Sequence, residues 1–183
     1  NDISAEKLMK IVQDCQTDVH DFWSAYFYLH FYTVNTAKLS ENVWKEAEKM
    51  LEQIQKYPQK EEYQKLVEAD RINLYEREAE KGDDRKFLEE TDRVFKENLR
   101  GDPAWKLYER KLVYLESKQP DISGEFERFL KKYPKVMDAY VEYSIYLCRN
   151  NKMTQAQRVY REGRKQTGMT SKRAEELRRK LGL

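Results

Sequence analysis

Glycine and proline are scarce in this sequence, with six Gly and four Pro among 183 residues. A β-sandwich or β-barrel of this length needs many tight turns, and tight turns are built mainly from these two residues. Long helices joined by short connections need far fewer of them. The scarcity therefore argues against most all-β architectures and favours an all-α fold.

Cysteine and long apolar runs are also scarce. Only Cys15 and Cys148 are present, far apart and each within a helical pattern, so we interpret them as small buried side chains in a reducing compartment. No apolar run reaches about 18 residues, and no secretory signal opens the chain. We expect no membrane span and a nuclear or cytoplasmic protein that is not secreted. Because the first residue is Asn1, we also expect a piece of a longer protein.

Charged and aromatic residues are both abundant, at 37% and 13% of the chain. A chain with so much charge and a very low mean hydropathy would be typical of disorder if it had little to bury, but disordered segments contain few aromatic residues. The composition therefore predicts a charged surface around an aromatic core.

Apolar residues recur at steps of three and four, which is the period of an amphipathic helix. Breakers and capping residues divide the pattern at nearly regular intervals; for example, Gly82 is suited to end a helix and Ser40, Asp121, Asn151 and Thr170 to begin one. The pattern predicts ten helices, over residues 5–16, 18–35, 40–57, 61–81, 84–99, 103–118, 121–133, 136–150, 152–167 and 170–181.

Short strings recur along the chain with a period of about 34 residues. Leu-Tyr-Glu-Arg occurs at 74–77 and again at 107–110, and Arg-Val-Phe-Lys-Glu at 93–97 is echoed by Arg-Val-Tyr-Arg-Glu at 158–162, about two periods later. Such a period accommodates two helices per unit. Neither helix of a pair buries its apolar face alone, so stacked pairs would bury their aromatic rings between units.

Three segments resemble the half-a-tetratricopeptide (HAT) repeat, a variant of the tetratricopeptide repeat. Trp105 and Tyr108 have the W-x-x-Y spacing of the family's first helix, residues 156–163 are close to its second-helix pattern A-R-x-[IV]-[YF]-E-R-A, and residues 126–134 match less closely. Leu112 and Leu147 depart from the pattern, since the family places an acidic residue there, and these departures leave ordinary tetratricopeptide repeats or a diverged relative open.

The resemblance implies a right-handed superhelical solenoid of antiparallel helix pairs. We expect a single domain over residues 1–183, with repeat units in 18–167 and a basic capping or linking helix in 168–183. Members of the family are scaffolds in RNA-processing assemblies, and several of them dimerise. The resemblance thus implies a nuclear scaffold with protein partners. It also makes a homodimer one of the oligomeric states to test.

No convincing active site emerges from the sequence. His20 and His30 lack the further ligands that a zinc site needs, with only Cys15 nearby, and there is no glycine-rich phosphate loop or nucleophile motif. We therefore expect a protein that is not an enzyme and that uses no cofactor or metal.

The aromatic run at residues 22–32 is apolar on every side, so it predicts either a fully buried helix or one that offers a face to a partner. In the second case Tyr28 and Tyr32 are candidate anchors, because tyrosine is frequent in interface hot spots.

The C-terminal end is basic, since residues 149–183 contain eleven Lys and Arg against three Glu. Such a surface suits RNA phosphates or an acidic or helical protein segment, and it equally suits a solvated last helix. The candidate contact residues are Arg158, Arg161, Arg164, Lys165, Arg178 and Arg179.

Three functions are compatible with these features. The first is a non-catalytic scaffold of a multiprotein complex, in RNA processing by the resemblance; the second is direct RNA binding through the basic end; the third is an adaptor in a non-RNA pathway such as a checkpoint or chaperone complex.

Overall fold

The computed structural model describes residues 7, 10, 14, 19–35, 42–58, 60–97 and 101–183. Within this part of the chain the fold is all-helical, with no strand. No helix in the described ranges is both long enough and apolar enough to span a bilayer. The helices are α1 (Phe22–Asn35), α2 (Asn42–Ile54), α3 (Glu61–Glu80), α4 (Arg85–Lys96), α5 (Gly101–Glu116), α6 (Ser123–Lys132), α7 (Met137–Arg149), α8 (Met153–Thr167) and α9 (Lys172–Lys180).

Nine of the ten predicted helices correspond to these elements, with ends that agree to within four residues. The predicted helix at 5–16 lies outside the described residues except for Lys7, Lys10 and Asp14. Cys15 and Ser40 lie outside them as well. The prediction of an all-α protein is therefore confirmed for the part of the chain that the structure describes.

Several helix ends follow from local chemistry. Gly82 follows α3 with a φ of 116°, which glycine adopts without steric cost. The predicted caps of α8 and α9 are each one residue off. The residue that precedes α8 is Lys152 and not Asn151. At the start of α9 the hydroxyl of Ser171, and not that of Thr170, accepts a hydrogen bond from the free amide of Ala174 at 3.2 Å.

The chain divides into two compact units, Asn1–Glu90 and Thr91–Leu183. In the first unit α1, α2 and α3 pack against one another. The core contains side chains that are almost completely inaccessible to solvent, namely Leu29, Tyr32, Ile54 and Leu74. The prediction of one repeat domain over 1–183 stays a prediction.

The second unit has an aromatic core. The rings of Tyr108 and Phe129 lie 5.1 Å apart, and Trp105 packs edge-on against Phe129 at 5.0 Å. The ring of Tyr143 stacks on Phe126 at 4.8 Å. These rings come from three different helices, α5, α6 and α7, so they hold the unit together.

Helices two apart in the sequence are joined by polar contacts. In the first unit His30 of α1 bonds Asp70 of α3, and Lys86 of α4 pairs with Glu48 of α2. In the second unit Asp92 of α4 pairs with Arg128 of α6, Glu116 of α5 pairs with Arg149 of α7, and Glu142 of α7 pairs with Arg173 of α9. Five pairs of alternate helices are therefore joined by polar contacts.

Candidate interaction surfaces

The predicted anchors Tyr28 and Tyr32 belong to the core of the first unit. Tyr32 is completely buried, and Tyr28 is 9% exposed. Burial raises the pKa of the Tyr32 hydroxyl to about 12. Their assignment as partner-binding residues is therefore corrected to core packing, the alternative that the apolar run also allowed. The reason is that α1 is apolar all round, so the sequence did not indicate which side faces α2 and α3.

The outward side of α1 carries different apolar residues. Trp23, Phe27 and Val34 are 51%, 61% and 56% exposed. Together with His30 they lie at positions i, i+4, i+7 and i+11, which places them on one stripe of the helix. Sequence reasoning singled out this helix and misjudged its exposed side.

The stripe continues onto α3. The Trp23 ring packs edge-on against Tyr63 at 4.9 Å, and two turns later on both helices His30 bonds Asp70. Leu66 lies between Tyr63 and Asp70 in sequence, one turn from each, and is 40% exposed. We call the set of Trp23, Phe27, His30, Val34 and Leu66 the α1–α3 face.

A buried carboxylate sits beneath this face. Asp70 is 2% exposed and accepts hydrogen bonds from the Thr33 hydroxyl at 2.9 Å and from Nδ1 of His30 at 3.0 Å. The Nδ1 bond fixes the imidazole so that Nε2 points away from Asp70, and the His30 side chain is 54% exposed. Burial, and then the negative charge of Asp70, raise the pKa of the Tyr26 hydroxyl.

The basic end places its cations on the surface of α8. Arg158, Arg161, Arg164 and Lys165 are all exposed, and none of them forms an ion pair with the described residues. By contrast, Lys49 and Arg77 are exposed cations that pair with carboxylates of their own helix. The four cations of α8 therefore have no ion-pair partner in the part of the chain that the structure describes.

The two predicted contact residues on α9 differ from each other. Arg179 is exposed. Arg178 is half-buried, where its Nε donates to Glu175 at 2.9 Å and Nη1 donates to the carbonyl of Leu183 at 2.9 Å. These bonds fasten the C-terminus to α9, so Arg178 is the predicted contact residue with a clear structural role.

A charged network inside the second unit was not anticipated from the sequence. Lys111 is only 4% exposed and bonds both Asp92 and Glu125 at 2.9 Å. Arg128 bonds Asp92 at 3.1 Å, and the hydroxyl of Tyr108 donates to Glu125 at 2.5 Å. Burial, followed by the hydrogen bond to Glu125 and the negative charge of that carboxylate, raises the pKa of Tyr108. Each charge of this network is balanced, which fits a structural role.

No group of three or more potential metal ligands occurs among the residues that the structure describes. No family model matches the chain, and neither a curated protein nor a solved structure matches it.

Proposed function

We propose that the chain is a non-catalytic helical-repeat scaffold that holds protein partners in a multiprotein complex. The observation that carries this proposal is the set of polar contacts between alternate helices within each unit. Stacked helix pairs produce such contacts, because each helix lies beside its own partner and beside the equivalent helix of the next pair. The recurring strings support the same interpretation, since Leu-Tyr-Glu-Arg falls in α3 and α5, and the second string falls in α8 and, except for Glu97, in α4.

The assembly that we propose processes RNA in the nucleus, as the resemblance to HAT repeats implies. A tetratricopeptide-type adaptor in a checkpoint or chaperone complex is the alternative with the same architecture. Helical stacks expose long surfaces, and this suits the simultaneous binding of several partners.

The test is affinity capture with the intact chain from nuclear and cytosolic extracts, followed by reconstitution with the purified partners. A scaffold should co-elute in one size-exclusion peak with at least two captured proteins that do not bind each other in its absence. RNA-processing factors among them would support the pathway, whereas checkpoint or chaperone components would favour the adaptor. If no reconstituted pair requires the chain, the scaffold proposal is wrong.

Direct RNA binding is a second candidate, favoured by the unpaired cations of α8. Their side chains form no ion pair within the described ranges, so four phosphate contacts are available to Arg158, Arg161, Arg164 and Lys165. For single-stranded RNA, log affinity should then fall with log salt with a slope of about −3, near 0.7 per contact.

Replacing all four residues with glutamine should bring the slope close to zero. A matched control replaces four ion-paired surface cations, Lys49, Lys65, Arg77 and Arg149, and changes the net charge equally. If both variants lose affinity to the same extent, RNA binding reflects total charge and does not reside on α8.

A further inference from the structure

We propose that the α1–α3 face binds one amphipathic helix of a partner protein, and that this helix has basic flanks. The proposal rests on the proposed function, since it names the kind of partner that the scaffold holds at this surface.

The first argument is the size of the face. Six large hydrophobic side chains are exposed among the described residues, and four of them, Trp23, Phe27, Val34 and Leu66, belong to this face. Aromatic side chains have about 150–250 Å² each, so half-exposed rings and the two aliphatic groups give about 300 Å² of apolar surface. Single exposed apolar residues need no explanation, but a contiguous patch of this size commonly marks a binding site.

The second argument is the shape of the face. The stripe from Trp23 to Val34 spans twelve residues of α1, whose eleven rises make about 16 Å or three helical turns. The contacts of Trp23 with Tyr63 and of His30 with Asp70 show that α1 and α3 run in the same direction along this length. Leu66 is therefore set beside the stripe, and the two helices present apolar anchors at the spacing that a docked helix uses.

The third argument is the polar group at the centre. His30 lies between Phe27 and Val34 on the stripe, and Asp70 fixes its orientation. With Nδ1 bonded to Asp70, Nε2 is left to form a hydrogen bond with a polar group on the docked helix. A single oriented polar group within an apolar patch gives register to the contact.

Charge and area together identify the occupant. The unit Asn1–Glu90 contains 13 Lys and Arg against 20 Asp and Glu, a net charge of −7, so a second copy facing the same unit would be repelled. A stable dimer buries about 800 Å² per partner, which is more than twice the apolar area of this face. A single helix needs less area, and one with Lys or Arg flanks is attracted by the charge of the unit.

The experiment uses the full chain and a fluorescein-labelled 15-residue peptide with Leu at positions 1, 5, 8 and 12 and Lys at most others. Fluorescence anisotropy should show saturable one-to-one binding, whereas a peptide of the same composition in scrambled order should bind at least ten-fold more weakly. Phe27→Ala and Trp23→Ala should each weaken binding of the ordered peptide by about ten-fold or more. The matched control Val113→Ala removes a side chain that is 66% exposed on α5 and should leave the affinity within two-fold.

Four results would overturn the proposal. Equal affinities for the ordered and scrambled peptides would show that charge attraction alone accounts for the binding. A dimer in light scattering that dissociates in the Phe27→Ala variant would identify a second copy as the occupant. A markedly lower melting temperature of that variant would show that the face is covered within the chain. Binding to phosphatidylcholine vesicles that Phe27→Ala abolishes would identify a membrane.

Failure of this proposal is distinguishable from failure of the scaffold function. Captured partners that bind the parent and the Trp23→Ala/Phe27→Ala double variant equally would contradict the role of the face and leave the scaffold standing. A chain that binds the ordered peptide as expected but brings no partners together would contradict the scaffold alone.

Discussion

Lys111 shows how much one buried charge contributes to the second unit. Its ammonium group bonds two carboxylates, Asp92 and Glu125, while its side chain is 5% exposed. We predict that Lys111→Met lowers the free energy of unfolding by about 3 kcal/mol, the lower end of the cost of breaking a buried pair, because both carboxylates keep some contact with water. Urea denaturation measures the change. Lys65→Met is the control, since Lys65 forms an exposed pair with Glu61 and should cost less than about 0.5 kcal/mol.

The same network should make the protein sensitive to acid. Burial alone would raise the pKa of Asp92, but the hydrogen bond and charge of Lys111, with Arg128, hold the pKa below its usual 3.8. In Glu125 burial is likewise outweighed by hydrogen bonds from Tyr108 and Lys111, which hold its pKa below 4.5. A carboxyl with a depressed pKa stabilises the fold fully above its unfolded pKa and loses this contribution as pH falls through the folded value.

The contribution of these two groups to the urea midpoint should therefore be constant above about pH 5. It should decrease as the pH is lowered from about 4.5 to 3. The Lys111→Met variant should show a shallower fall, because its carboxylates have lost the cation that lowers their pKa. Burial is the main cause that raises the pKa values of Glu78 and Glu109. Their contribution to stability therefore decreases as the pH rises. They are present in both proteins, so the difference between the two curves isolates the network. Parallel curves would contradict the assignment.

The sequence contained one indication of this network. The repeated string at 74–78 and 107–111 matches at its first four positions and differs at the fifth, where Glu78 is replaced by Lys111. Both side chains are mostly buried and paired, Glu78 with Lys86 and Lys111 with two carboxylates. The charged residues of the string are not all buried, since Arg77 is exposed, so the fifth position does not by itself predict a buried pair. The partners of Lys111 are not predictable either, because they lie on other helices, 14 and 19 residues away.

At the scale of the helix, periodicity predicted which side of an amphipathic helix is buried. It did not predict the buried side of a helix that is uniformly apolar. Helices such as α6 bury Phe126 and Phe129 and expose charged residues, so their inner side follows from the sequence. In α1 every side is apolar, and the choice between burying Tyr32 or Phe27 is made by tertiary packing against α2 and α3. For this reason the candidate surface was placed on the correct helix and on the wrong residues.

Close packing between helices gives a prediction at the same scale. Gly163 lies in α8 against α7, and a Cβ built there would come within 2.6 Å of Cβ of Tyr140 and would also meet Cε of Met169. Gly163→Ala should therefore destabilise the protein by about 1–2 kcal/mol, because overpacking outweighs the better helix propensity of alanine.

Gly124 in α6 is the matched control. A Cβ there would meet nothing within 4 Å, so Gly124→Ala should leave the stability unchanged or raise it by up to about 1 kcal/mol. Thermal melts of the two variants should move in opposite directions from the parent. If Gly163→Ala is also stabilising, α7 and α8 are not packed as closely as the structure has them.

At the scale of the whole molecule, composition and breaker spacing were sufficient to predict an all-helical protein. They were not sufficient to predict the division into two units. Net charge differs sharply between these units, from −7 in Asn1–Glu90 to +9 in Thr91–Leu183, where 22 Lys and Arg face 13 Asp and Glu. The basic end found in the sequence is the extreme of this asymmetry. Anionic and cationic partners should accordingly be attracted to different units.

The last prediction separates binding from folding at the basic end. Arg158, Arg161, Arg164 and Lys165 lie at spacings of three and four residues, where like charges repel by about 0.2–0.5 kcal/mol per pair. Arg164 and Lys165 also lie in the last turn of α8, where a positive charge is favourable to the helix dipole by about 0.3–1 kcal/mol each. These effects have opposite signs, so replacing all four with glutamine should change the free energy of unfolding by less than about 1 kcal/mol.

Urea denaturation at 50 and 500 mM salt is the measurement, and any difference from the parent should shrink at the higher salt because both effects are screened. A variant that unfolds at a much lower urea concentration than the parent at both salt concentrations would show that these cations are structural, and the assignment of a binding role to α8 would have to be withdrawn.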